Sequence, residues 1–266
     1  MRVIVDSCFL RVGSGLGVTV QESIISKNPF NHESVGDVAK TPVESIPDLV
    51  KRSKKALVNW SDLGLEGRAE AMKPFRELLE AELENLAQLM SREMGKPITS
   101  TRGEVRACMN SWVREIDEVV EALTDQPVNE KARIVFEPLG VSAAITPWNF
   151  PLLMPQWQML PTLMAGNTVL FKPSEETPLS GQAYAELLNK VLPKDVLIVV
   201  HGDSAQGKAL VENEGVRLIT FTGSKVAGQH ILKSASQQMK RVILELGGKD
   251  PLIVLEGADL NNAAQF

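Results

Sequence analysis

Asn149 and Glu245 are the side chains in this sequence best suited to a developing negative charge and to a moving proton. Asn149 stands in Thr146-Pro147-Trp148-Asn149-Phe150-Pro151, after an apolar run and before a helical pattern. A neutral amide beside the positive end of a helix can donate a hydrogen bond to an oxyanion. It can equally do no more than cap that helix. Glu245 opens Glu245-Leu246-Gly247-Gly248-Lys249. A carboxylate followed by two glycines can act as a general base if it is partly desolvated, or it can be a surface acid before a flexible loop.

Three further clusters suit a nucleotide. In Phe171-Lys172-Pro173-Ser174-Glu175 the acid can accept hydrogen bonds from ribose hydroxyls and Lys172 can donate to the same sugar. The plainer reading is a solvated Lys/Glu pair in a loop. In Phe221-Thr222-Gly223-Ser224 the glycine permits a tight turn, and Ser224 can cap a helix whose free N–H groups would face a phosphate. Gly202-Asp203-Ser204-Ala205-Gln206-Gly207-Lys208 has the glycine and lysine spacing of a phosphate loop. Ala209 stands where that loop needs a hydroxyl for Mg²⁺, and Asp203 would put a carboxylate where phosphate should sit, so a nucleotide triphosphatase is disfavoured. Cys108 shares a helical face with Val105, Trp112, Ile116, Val119 and Leu123, the spacing of a buried core thiol rather than a nucleophile.

These clusters need elements to hold them. From Val141 onward, β-branched runs alternate with helical segments: strands at Val141–Thr146, Thr168–Phe171, Val196–Val200, Leu218–Phe221, Arg241–Leu244 and Leu252–Leu255, with helices at Leu152–Met164, Thr177–Lys190, Ser204–Glu212 and Ser224–Ser236. This β-α-β-α order predicts an α/β fold built on a parallel sheet, whose ligands bind beyond the carboxyl ends of its strands. Pro151 suits the first position of the helix after Asn149. Upstream, the pattern predicts a helix capped by Ser45 and running to about Trp60, and another from near Glu66 that Pro74 kinks or divides. The stripe Leu79, Leu83, Leu86, Met90 and Met94 stops at Gly95-Lys96-Pro97, and a third helix covers Thr101 to Leu123. Asp125 to Lys131 reads as polar turn, and Ile134-Val135-Phe136 as a short strand.

Composition narrows the possibilities. The 266 residues are 44% hydrophobic and 23% charged, with net charge −5 and scattered basic residues, unlike the basic face that nucleic-acid binding needs. No apolar run approaches the ~20 residues of a membrane helix. In the first twenty residues, Asp6 and Arg11 break the apolar groups, too often for an export signal; the segment reads as a strand or an unstructured start. With two cysteines, Cys8 and Cys108, the expected compartment is the cytoplasm.

Taken in order and spacing, Thr146-Pro147-Trp148-Asn149-Phe150-Pro151, Lys172-Pro173-Ser174-Glu175, Phe221-Thr222-Gly223-Ser224 and Glu245-Leu246-Gly247-Gly248-Lys249 resemble the aldehyde dehydrogenase superfamily, as do Asn28-Pro29 and Glu93-Met94-Gly95-Lys96-Pro97. The resemblance runs from about Ser26 to Phe266, and its details lean to the semialdehyde-oxidising branch. It implies a Rossmann-like cofactor-binding domain over residues 1–119 and 139–247 (1–25 lying outside the likeness), an oligomerisation arm over 120–138, and the start of a catalytic domain over 248–266. It implies oxidation of a small aldehyde to an acid with NAD, NADP being possible, and a homodimer or homotetramer for the full-length form. Asn149 becomes the oxyanion donor, worth ~3 kcal/mol for such groups, and Glu245 the general base. Lys172, Ser174 and Glu175 become the ribose contacts, with Glu175 favouring NAD by repelling a 2′-phosphate. Ser224 and Gly223 become the pyrophosphate contacts, and Thr146, Pro147, Trp148, Gly207, Phe221, Thr222, Leu246 and Gly247 complete the cofactor set. The family's nucleophilic cysteine lies a few dozen residues past the Glu245 motif, whereas Phe266 follows Glu245 by 21 residues. The expectation is a truncated chain with most of the catalytic domain missing and inactive alone. The alternative is a non-catalytic dinucleotide-binding or subunit-pairing module.

Overall fold

The computed structural model describes residues 22–265. The apolar start and Cys8 lie outside them. An antiparallel hairpin opens the described chain, β1 (Ser23–Lys27) with β2 (Ser34–Ala39). A helical layer follows: α1 (Ile46–Asp62), α2 (Gly64–Met72), α3 (Phe75–Ala81), α4 (Leu83–Met94) and α5 (Ile98–Leu123). A second hairpin, β3 (Gln126–Asn129) with β4 (Ala132–Ile134), leads into the α/β unit. There β5 (Val141–Ile145), α6 (Leu153–Met164), β6 (Thr168–Lys172), α7 (Pro178–Leu188), β7 (Leu197–Val199), α8 (Ser204–Glu212), β8 (Val216–Gly223), α9 (Lys225–Ser236) and β9 (Arg241–Leu246) alternate, and the short α10 (Leu260–Ala263) comes last. No helix among the described residues is long and apolar enough to cross a membrane.

The five-stranded sheet is parallel throughout, in the order β7-β6-β5-β8-β9. The chain winds outward from β5 on one side, then restarts at β8 on the other. The crevice between β5 and β8 is therefore where such a sheet binds ligands. Side chains alternate across the pleat. Val141, Ala143, Ile145 and Leu170 enter a core with Ile46, Val50, Leu210 and Ala235 on one face. Ala144, Val169 and Phe171 enter the larger core on the other, with Trp60, Phe75, Trp112, Met159 and Tyr184. Cys108 is fully buried in that second core, where loss of solvation pushes its thiol well above the usual range.

Several expectations are corrected. Leu252–Leu255 forms no strand and its side chains are exposed, because no neighbouring strand among the described residues offers it a ladder. Gln126–Asn129, expected as turn, is a strand: the turn lies at Glu130-Lys131, where Asn129 accepts from the Lys131 N–H, and Ala132–Ile134 pairs back, leaving Val135 and Phe136 outside it. Pro74 divides the second helix, and a further break at Glu82 separates α3 from α4, although Leu79, Leu86 and Met90 still share one core. Ser45 does not cap α1 with its hydroxyl, which donates instead to the Pro42 carbonyl at 2.7 Å. Strands β8 and β9 run two residues further than expected, because Thr222 pairs with Glu245 and Gly223 with Leu246.

Helix α6 is gripped at its C-terminus by the helical layer. Arg68 Nε donates to the Met164 carbonyl at 2.9 Å, and its Nη1 donates to the Ser61 carbonyl at 2.9 Å. Trp60 Nε1 donates to the Leu163 carbonyl at 3.0 Å. A cation suits this negative end of the helix dipole. Arg68→Ala leaves two carbonyls without their charged donor, so urea unfolding should show a loss of about 3 kcal/mol; an unchanged midpoint would show that water replaces the guanidinium freely.

Candidate functional site

The strand-end loops open onto two adjoining cavities. One, of about 970 Å³, is lined by Thr146, Trp148, Lys172, Ser174, Glu175, Gly207 and Ser224. The other, of about 1600 Å³, is lined by Asn149, Glu245, Leu246 and Gly247. Pro147, Phe221, Thr222 and Gly223 line both, so the ends of β5 and β8 form the wall between them. Every residue that the resemblance places at the site thus lines one cavity or the other, and the two polar groups expected to do chemistry share the second.

The side chains expected to contact a ribose stand at the end of β6 and just beyond it. Lys172 is its last residue and is buried at 4% exposure, and Thr146 N–H donates to its carbonyl at 3.1 Å, which sets the two loops in register. Its ammonium donates to the Pro173 carbonyl at 3.2 Å and lies 3.3 Å from Glu175 Oε2. An ammonium has three donors, so one stays open, and the Glu175 side chain keeps 45% of its surface exposed for further acceptance. Gly207 sits against this lysine: a Cβ there would lie 3.7 Å from Lys172 Cδ. At the start of α9, Ser224 Oγ accepts from the Ala227 N–H at 3.2 Å, so the serine is a cap, and the helix's remaining first-turn N–H groups begin at the cleft wall.

The loop that resembles a phosphate cradle is already filled. Asp203 accepts from the Ala205 N–H at 2.8 Å, and Gln206 Oε1 accepts from the Asp203 N–H at 3.0 Å, closing a capping box. The Ala205 N–H, and Lys40 at 3.0 Å, hold the Asp203 carboxyl below its usual range. This carboxylate occupies the helix end that a triphosphate would need.

Asn149 does not cap α6, which begins at Leu153, two residues beyond Pro151. The acceptor at that end is Glu104 of α5, whose Oε1 takes the Leu152 N–H at 3.0 Å and the Leu153 N–H at 3.2 Å. Its Oε2 takes Lys96 Nζ at 2.8 Å. Lys96 also donates to the Asn149 carbonyl at 3.1 Å and lies 3.8 Å from the centre of the Phe150 ring. Gln158 of α6 bridges to β8, its amide 2.9 Å from both Thr220 Oγ1 and Thr222 Oγ1. Glu245 is exposed because β9 is an edge strand, so the described residues do not supply the desolvation that the expected role of general base calls for.

The sequence reading gave no role to Lys96, Glu104, Glu93 or His201. Glu93 accepts from the Leu179 and Ser180 N–H groups, each at 2.8 Å, and so caps α7 behind the Lys172 loop. The signal for Glu104 was present: it shares a helical face with Thr101, Val105 and Cys108, where a carboxylate must find a partner. His201, just past β7, is buried with its Nε2 2.7 Å from Gln182 Oε1 and its Nδ1 without a partner. No cluster of His, Cys, Asp and Glu suited to a metal occurs among the described residues.

The model of the Aldehyde dehydrogenase family matches residues 18–266. The chain is 35% identical to a glutarate-semialdehyde dehydrogenase of Pseudomonas aeruginosa over 92% of its own length and 52% of the relative's. It is 34% identical to the NADP(+) succinate-semialdehyde dehydrogenase of Escherichia coli, over 95% and 54%. Among solved structures, an NAD+ complex of an aldehyde dehydrogenase from Bacillus cereus superposes with TM-score 0.86 at 32% identity, covering 92% of this chain and 51% of that one. The chain spans about half the length of the curated relatives it matches.

His201 gives this region a pH signature. Burial, helped by the charge of Lys172, lowers it from the ordinary 6.5 to about 4. Between those values the unfolded chain binds the extra proton, so stability rises with pH: the contribution is complete above about 6.5 and is lost as pH falls toward 4. The expected slope is about 1.4 kcal/mol per unit within that window. Urea midpoints at pH 7 and 5 should separate more for the native chain than for His201→Gln; equal separations would place the histidine in solvent.

Proposed function

The chain belongs to the aldehyde dehydrogenase family, and from that premise we propose that its strand-end loops bind a nicotinamide dinucleotide beside the groups that handle an aldehyde on its way to a carboxylic acid. One observation carries the reading: the loops after β5, β6, β8 and β9 open onto two cavities that share a wall. An elongated dinucleotide crossing that wall would have its adenosine end in the smaller cavity and its nicotinamide end in the larger.

The residues fit such a molecule. The open donor of Lys172 and the exposed carboxylate of Glu175 suit vicinal hydroxyls, and Ser174 lies beside them. The start of α9 at Ser224 offers N–H groups and a positive dipole end to a pyrophosphate. Glu175 disfavours an added 2′-phosphate, which supports NAD over NADP. When bound, the dinucleotide supplies the hydride acceptor. In the larger cavity, Asn149 donates its side-chain amide to the oxygen of the aldehyde as negative charge grows there. Where a nucleophile carries the acyl group, Glu245 takes a proton from the water that attacks the acyl carbon, and the acid leaves as the bond to the nucleophile breaks. Closure of the cavity by further protein would supply the desolvation that makes Glu245 basic. The two relatives named above act on semialdehydes by their names, which supports that substrate class. The exposed hairpin β3–β4, with its edges free among the described residues, supports subunit pairing through 120–138.

The described thiol does not serve as nucleophile. Cys108 is fully buried, beside the carboxyls of Glu104 and Glu115 that further disfavour its thiolate. That observation favours a second reading for these 266 residues by themselves: dinucleotide binding or subunit pairing without turnover.

Titration of the purified chain with NAD should quench Trp148, which lines the smaller cavity and is half exposed. Glu175→Ala, by removing a charged acceptor, should weaken binding roughly tenfold. No saturable response, or one indifferent to Glu175, contradicts the assignment. The same chain, given an aldehyde and NAD, should form no NADH above background, and steady NADH formation would overturn the role denied to Cys108.

A further inference from the structure

The motif Glu93-Met94-Gly95-Lys96-Pro97 has no part in the chemistry proposed above, yet it is the point where the helical layer meets both site loops. Helix α4 ends at Gly95 in a left-handed conformation, φ +75°, with Pro29 so close that a Cβ would meet its Cγ at 2.9 Å. The chain therefore turns sharply, and Lys96 emerges between α5 and the loop after β5. Its ammonium is shared among three groups: Glu104 Oε2 at 2.8 Å, the Asn149 main-chain carbonyl at 3.1 Å and the face of Phe150 at 3.8 Å. Glu104 is 4% exposed and has its other oxygen on the first N–H groups of α6.

We propose that Lys96 and Glu104 are positioning residues that clamp the loop after β5 and so aim the Asn149 side chain into the larger cavity. The inference rests on the reading of Asn149 as the oxyanion donor. Each half of the clamp has a distinct task. Glu104 holds α6 by its N-terminus, with Arg68 and Trp60 holding the other end, so the helix cannot slide. Lys96 then ties the exposed stretch Trp148–Phe150 to that fixed point through a carbonyl and a ring. Among the described residues the Asn149 side chain has no hydrogen-bond partner that could do this, and Pro147 and Pro151 on either side have no N–H to bond. The Phe150 carbonyl is tied to α6 by the Met154 N–H at 3.1 Å, so the lysine is the tie that holds the loop at Asn149 itself. Neither Lys96 nor Glu104 is placed to touch the reacting atoms.

Two variants separate aim from general stability. Lys96→Met leaves Glu104 a buried carboxylate without its cation, which is destabilising. The pair Lys96→Met with Glu104→Gln removes both charges, while the glutamine oxygen can still accept from Leu152 and Leu153. Urea unfolding of the 266-residue chain should show a marked loss for Lys96→Met and recovery of most of it in the double variant. Backbone order parameters at Trp148, Asn149 and Phe150 should fall in both, from about 0.85 to below about 0.6, while those of α8 and α9 hold. A purely structural pair would recover loop order along with stability, and that result, or loop order unchanged in Lys96→Met, overturns the proposal. Because the readout needs no turnover, an ordered loop whose Asn149 amide points out of the cavity would count against the oxyanion reading and leave the clamp standing.

Discussion

A buried carboxylate at the head of α6 is the interaction on which the site's geometry depends. Glu104 reaches across from α5, and its removal from water costs several kcal/mol unless it is paired. Two backbone N–H groups, the positive end of the helix and the Lys96 ammonium offset that cost together. The same device recurs one helix along. Glu93 sits on the N-terminus of α7, taking two N–H groups and the Ser180 hydroxyl at 2.6 Å; burial raises its carboxyl, and those bonds pull it back. Both acids come from the α4–α5 corner, so the helical layer supplies the missing caps of the helices that follow the Asn149 and Lys172 loops.

The sheet supplies the other constraint. Its order reverses between β5 and β8, and their ends stay level because Ile145 pairs with both Lys172 and Phe221. Gln158 adds a cross-tie from α6 to Thr220 and Thr222. The wall shared by the two cavities is thus pinned from below by strand register and from the side by a helix that is itself fixed at both ends. At its rim Thr222 is tied to Gln158 and Ser224 caps α9, whereas the exposed carboxylates of Glu175 and Glu245 are left to face a ligand.

Much of this was legible in the chain. β-branched runs such as Thr168–Phe171 placed the strands, and the glycine after Met94 placed the end of α4. Legibility failed where the deciding partner was distant in sequence. Ser45 and Asn149 are good caps by type, yet neither caps a helix, since at α6 a glutamate 48 residues upstream of Leu152 has taken the place. Thr222 and Glu245 read as turn residues, but each becomes strand because the other is there to pair with. Leu252–Leu255 shows the converse: β-forming composition without a neighbour gives no strand. The hairpin β1–β2 escaped notice because its pairing sets Ser26 opposite Gly36, with little alternation to betray it.

The most direct test is a crystal structure of the chain grown with NAD. The adenosine ribose should lie between Lys172 and Glu175, the pyrophosphate at the start of α9 beside Ser224, and the nicotinamide on the Asn149 and Glu245 side of the wall. Dinucleotide bound elsewhere, or lying in one cavity without crossing Thr222 and Gly223, would contradict the convergence of these loops on a single ligand.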